Sequence, residues 1–163
     1  MSIVHTMNEF GRQPDIPEFQ LQQFQELITR LFQCCSERMQ YQSDRFQLPD
    51  AELRCLLLFG DERYLTPKGI AQKMNVVKSR ITKIIDGLLK KKLIQRIKDP
   101  EDSRISLLSL TPKGHKKISD IKDFLNEVHE QVLLQFPLEQ RQNLLMSLDM
   151  LKSSMESVKH MMV

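Results

Sequence analysis

Lys78, Ser79, Arg80, Thr82 and Lys83 place five hydrogen-bond donors, three of them cationic, within six residues. Donors so grouped suit phosphate oxygens and the acceptor-rich edges of base pairs, with arginine matched to guanine. Downstream, Lys98-Asp99-Pro-Glu-Asp-Ser103 is a turn-forming polar segment, and Arg104 follows it. An arginine at such a tip can exploit the negative potential of a narrow minor groove. Alternatively it pairs with Asp99 or Asp102 and holds the turn; both can be true. Other chemistry is scattered. His5, His115, His129 and His160 form no cluster, and no Ser/His/Asp order, metal-ligand spacing or glycine-rich phosphate loop is present. Neither enzymatic activity nor a metal or other cofactor is therefore expected.

These donors need a scaffold. From Val77 to Lys91, Ile81, Ile84, Ile85, Leu88 and Leu89 recur at helical spacing and leave the donors on the opposite face. In an isolated helix that polar face would be ordinary solvated surface, but its surroundings argue otherwise. A short helix ending at Met74, with Ile70, Ala71 and Met74 inward, precedes it, and Asn75 tolerates the left-handed turn between the two. A short helix, a tight turn and a second helix whose early exposed residues are all donors make a helix-turn-helix. Leu93–Lys98 and Ile105–Leu110 then form a hairpin, the wing. The pentapeptide Leu-Thr-Pro-Lys-Gly occurs at 65–69 and again at 110–114. Its surroundings do not match, so shared capping syntax, threonine as N-cap and proline in the first turn, explains it better than an internal repeat. Each copy marks a strand running into a helix.

The rest of the chain reads as helix. Residues 1–17 form an N-terminal arm with Gly11, Pro14 and Pro17. From Glu18 to Gln42, Phe24, Leu27, Ile28, Leu31, Phe32, Cys35 and Met39 share one helical face. After Leu48-Pro49-Asp50 a second helix, Ala51–Phe59, is apolar almost all round and should be buried. The closing third carries two seams, Ile118, Ile121, Leu125, Val128 and Val132, then Leu144, Leu148, Leu151, Met155, Val158 and Met162. They cover the chain's own core or a dimer interface, and their surplus over what a small winged domain needs favours the dimer.

At 163 residues, 40% hydrophobic and 28% charged, the composition is that of a globular protein, neither disordered nor membrane-embedded. No run approaches the roughly 18 apolar residues of a membrane span, and no secretory signal is visible, so a cytoplasmic location is expected. The net charge of +3 hides a division. Thr66 to Lys117 holds fourteen Lys/Arg against four Asp/Glu, a local +10, which leaves −7 to the flanks. A basic centre between acidic flanks is suited to a polyanion. Cys34, Cys35 and Cys55 are odd in number and lack a CxxC, so they are packing residues or a thiol switch rather than disulfides.

Across residues 18–160 the chain resembles the MarR family of bacterial winged helix-turn-helix regulators. The likeness rests on Leu65-Thr66, Ser79 to Thr82, Asp86 and Leu88, Leu93-Ile94, Asp99-Pro-Glu-Asp-Ser-Arg104 and Leu110-Thr-Pro-Lys-Gly114, in that order and spacing. The resemblance implies a mainly α fold with a small β wing, in the order helix, helix, strand, helix, helix, strand, strand, helix, helix, in an intertwined homodimer. Residues 18–47 and 115–163 would dimerise, and 48–114 would be the DNA-binding domain. Three departures stand out: Val77 replaces a polar cap, Gly69 a common acidic residue, and Lys92 a helix-ending glycine. Neither Cys34 nor Cys35 aligns with the redox cysteine of the peroxide-sensing branch, and the histidines lack the clusters of the zinc-sensing branch.

The function expected is sequence-specific binding of double-stranded DNA by a transcriptional repressor, as a homodimer on a pseudo-palindrome. The recognition residues would be Lys78, Ser79, Arg80, Thr82 and Lys83. Arg104, Asp102 and Asp99 would form the wing, and Thr66, Lys68, Lys73, Lys90 and Lys91 would contact phosphates. By the resemblance, a small aromatic effector would release the DNA from a cleft lined by Phe24, Ile28, Phe32, Cys35, Arg38 and Leu56, unless those residues simply pack the core. The alternatives are a winged-helix module that binds protein and has no operator, or a thiol-based redox regulator.

Overall fold

Three helices end in the same way, and none of them uses glycine. The computed structural model describes residues 15–60, 62–99, 102 and 106–162. In it α1 (Glu18–Phe46), α3 (Pro67–Met74) and α4 (Lys78–Lys90) each give way to a residue in the left-handed region, Gln47, Asn75 and Lys92, with φ of 54°, 53° and 59°. The next N–H then reaches back five residues: Leu48 to Ser43 O at 3.0 Å, Val76 to Ala71 O at 3.1 Å, Leu93 to Leu88 O at 3.0 Å. These are Schellman closures, which satisfy carbonyls that a helix end would otherwise strand. Asn75 makes the turn expected of it.

By internal contacts the chain divides into two units, Met1–Leu53 and Arg54–Val163. The first consists of α1 and the start of α2 (Asp50–Leu57). Burial on α1 is confined to Gln42 and Phe46. Most of its apolar stripe is open to solvent, with Phe24, Leu27, Leu31 and Phe32 at 48, 53, 54 and 74% exposure. Ser43 Oγ donates to Leu48 O at 2.6 Å and ties down the exit from the helix.

The second unit holds the remaining elements. After α2 comes one 3-10 turn, Leu58–Gly60, where a continuous helix to Phe59 was expected. Cys55, Leu56 and Phe59 are buried, so the segment is as enclosed as its composition demands. The strand expected ahead of α3 is a single antiparallel bridge, Leu65 with Leu108, closed by N–H···O bonds of 3.0 and 2.8 Å. Thr66 then caps α3 and Thr111 caps α5 (Pro112–Leu134); each hydroxyl accepts from a glycine N–H three residues on at 3.0 Å. The repeated pentapeptide is therefore capping syntax, as its sequence implied.

The wing is a two-stranded antiparallel hairpin of β1 (Ile94–Lys98) and β2 (Ser106–Leu110), in register Ile94 to Leu110 through Lys98 to Ser106. α3 packs on α4 and β2, α4 on β1, and α5 on β2. Ile81, Ile84, Ile85 and Leu88 from α4 are buried, with Ile70, Met74, Leu93, Ile94 and Leu108. On α5 only the first half contributes to the core, through Ile118, Ile121 and Phe124. α6 (Leu138–Met161) buries no residue at all. Leu148, Met155, Val158 and Met162 of its seam are exposed, and Leu144 and Leu151 are half-buried.

Candidate nucleic-acid interface

The four isoleucine and leucine anchors of α4 fix which way its other face points. Lys78, Ser79, Arg80, Thr82 and Lys83 are all exposed. Among the described residues Lys78, Ser79, Arg80 and Lys83 hold no side-chain hydrogen bond or ion pair, so their donors are free for a ligand. Thr82 differs. Its hydroxyl donates to Lys78 O, one turn back, at 3.1 Å. Its oxygen lone pairs and its methyl remain for a ligand, so in this conformation it can accept but does not donate outward.

Of the residues expected to contact phosphate, two sit with the recognition residues. Thr66 and Lys68 line a cleft of about 440 Å3 with Pro67, Ala71, Lys78, Ile81, Thr82 and Ser106, on the open side of α3 and α4. Lys73 instead forms an ion pair with Glu62. Lys90 and Lys91 lie at the far end of α4, twelve and thirteen residues from Lys78, or about 18 Å at 1.5 Å per residue. There Lys113 Nζ donates to Lys91 O at 3.0 Å, and Thr111 Oγ1 to Lys92 O at 2.7 Å. That lysine group meets the negative end of the α4 dipole, which explains its clustering without any phosphate.

At the wing, Asp102 N–H donates to Asp99 Oδ1 at 3.2 Å, which ties the acidic pair together. Arg104 lies outside the described residues. A contact that the sequence did not suggest joins the wing to the recognition helix: Arg96 Nη2 lies 3.7 Å from Asp86, and its Nη1 donates to Ser106 Oγ at 3.4 Å. Both Arg96 and Asp86 are more than half exposed, so the link orients the hairpin and adds little stability. Their spacing in sequence carried no signal, since Asp86 and Arg96 meet only through the packing of β1 on α4.

The residues expected around an effector divide between the two units. Phe24, Phe32 and Cys35 are exposed on α1, where Ile28 and Arg38 are half-exposed; Leu56 is fully buried in the second unit. Leu56 is thus a packing residue there. Cys34 is exposed like Cys35, and Cys55 is buried as a small hydrophobe. Among the described residues no group of three His, Cys, Asp or Glu could hold a metal ion, and no helix is long and apolar enough to cross a membrane.

Residues 48–106, from just after α1 to the first residue of β2, match the model of the MarR family. Over that stretch the chain is similar to the MarR family. The family is one of transcriptional regulators rather than enzymes. Along its length the chain is similar to YdgJ, an HTH-type transcriptional regulator of Bacillus subtilis (strain 168), with 25% identity over 141 residues, 86% of this chain and 80% of that protein. Solved structures share the fold. A point mutant of MepR from S. aureus superposes with a TM-score of 0.74 at 19% identity, over 81% of this chain and 98% of that one. FabT of Streptococcus pneumoniae, crystallised in complex with DNA, gives 0.73 at 22% identity, over 85% and 99%.

Within the stretch similar to that family, the three departures have structural places. Lys92 stands in the left-handed position that a glycine would fill without cost. Gly69 is the third residue of α3, where its N–H feeds the Thr66 cap but no side chain reaches back to complete a capping box. Val77 is the N-cap of α4 and makes no side-chain cap bond.

Proposed function

We propose that this protein is a sequence-specific, double-stranded DNA-binding transcriptional regulator, a cytoplasmic repressor that binds a pseudo-palindromic operator as a homodimer. The observation that carries this reading is the open face at the start of α4: Lys78, Ser79, Arg80 and Lys83 are exposed and unpaired in a segment of net charge +10. Lys68 and Lys78 flank the adjoining cleft and suit phosphates, while Arg80 and Ser79 suit base edges. The FabT structure in complex with DNA and the regulator names of the relatives support the same reading. Arg104, two residues after Asp102 in the sequence, would track the adjacent minor groove.

The exposed apolar residues of α1 and α6 are the surface for a second copy, with residues 18–47 and 115–163 dimerising and 48–114 reading DNA. Two-fold symmetry then sets half-sites about one helical turn, roughly 34 Å, apart. A small aromatic effector acting near Phe24, Ile28 and Phe32 would release the DNA by shifting the separation of the two reading heads. Fluorescence anisotropy on the DNA upstream of the protein's own gene, against random duplex at two salt concentrations, tests the reading. Tight, salt-dependent binding with a protected palindrome is expected. Equal affinity for both duplexes, or none, would leave a protein-binding winged helix in its place.

A further inference from the structure

α4 breaks a rule that its neighbours obey. α3 and α5 both start at a threonine whose hydroxyl accepts from the first turn. α4 starts at Val77, which has no side-chain acceptor to offer. A valine at an N-cap weakens the helix start relative to serine, threonine, aspartate or asparagine. Packing does not account for it. Val76, half-buried, and Ile81, buried, occupy the two positions of a hydrophobic staple, so the apolar need of this helix end is met one residue earlier. Val77 itself remains 69% exposed. A broken local rule with no gain to the fold marks a surface with another use.

Thr82 adds a second, independent observation. The exposed Thr82 lines the cleft beside Pro67, Ala71 and Ile81, and with its hydroxyl proton given to Lys78 O its methyl is the apolar group it brings there. Two apolar groups therefore accompany the donors Ser79 and Arg80. A major groove displays one apolar group on its base edges, the C5-methyl of thymine. We propose that Val77, together with the methyl of Thr82, is a specificity determinant that reads thymine methyl groups in each half-site. This inference rests on the DNA-binding reading of α4 and extends it: the half-site code has a hydrogen-bonded part read by Arg80 and an apolar part read by Val77.

Uracil differs from thymine only by the missing methyl, so it probes this contact alone. The preferred half-site is first selected from a random duplex library with the wild-type protein, and each thymine is then replaced singly by uracil. At one thymine in each half-site the wild type should lose about four-fold in affinity, the loss for one buried methyl. Val77→Ser should be indifferent to that replacement yet still respond to changes at the guanine read by Arg80. Val77→Ile should keep the methyl discrimination. Val77→Ser should also melt higher than wild type because serine caps α4, so its loss of discrimination cannot be a loss of fold. The inference is overturned if no thymine-to-uracil change affects the wild type, or if wild type and Val77→Ser lose equally at every thymine. Failure to select any half-site would overturn the DNA-binding reading itself, and this inference with it.

Discussion

Gly69 and Gly114 hold the same place in two identical pentapeptides, and their surroundings separate them. A Cβ on Gly114 would lie 2.0 Å from Leu93 O, a backbone atom that cannot move without disturbing the start of the wing. A Cβ on Gly69 would meet only Thr66 Oγ1, at 3.2 Å. Gly114→Ala should therefore destabilise the protein by at least about 2 kcal/mol, while Gly69→Ala should be near neutral in urea unfolding. Lys92 gives the opposite sign. Its φ of 59° is a conformation in which a side chain is strained, and Lys92→Gly should raise stability by about 0.5 to 1 kcal/mol. The capping role of both pentapeptides was readable in the sequence, because caps are local. The close approach of Gly114 to Leu93 was not, since it arises from a loop that brings residues 93 and 114 together after the hairpin closes. The same holds for Thr82: its residue type suggested a donor, and only the helix geometry shows the hydroxyl proton directed at Lys78 O.

Among the elements, α4 was the most readable, because a stripe of isoleucine and leucine at helical spacing fixes both the buried face and its opposite. Its observed limits, Lys78–Lys90, fall one residue inside those expected at each end. The short strand ahead of α3 was less readable. Leu65 pairs with Leu108 alone, because Thr66 turns the chain into the α3 cap at the next residue. Charge along the sequence does not separate the two ends of α4. Lys90 and Lys91 raise the local balance as much as Lys68 and Lys78 do, yet they sit about 18 Å away at the other end of α4. Lys68→Ala should weaken binding to all duplexes and reduce the slope of log K against log salt by about one. Lys90→Ala should change that slope by clearly less, measured by anisotropy titration over a series of salt concentrations. Equal slopes for the two variants would place the far end of α4 on the phosphates after all.

Across the molecule, α1 and α6 leave apolar side chains exposed. α6 has no buried residue, and most of the α1 stripe is open, an exposure that a lone soluble chain does not favour. The sequence already showed these seams as surplus to a small winged domain, although periodicity cannot tell a partner's surface from the chain's own core. If a second copy covers them, Leu148→Asp should lower the mass seen by sedimentation from dimer to monomer and weaken operator binding with it. A dimeric Leu148→Asp would place the interface elsewhere. Whether the exposed start of α4 reads DNA sequence is decided by comparing wild type with Arg80→Ala on the selected operator and on random duplex at one salt concentration. The variant is predicted to lose about 1 to 3 kcal/mol on the operator and little on random DNA, so that its specificity collapses toward one. Equal losses on the two duplexes would contradict the account.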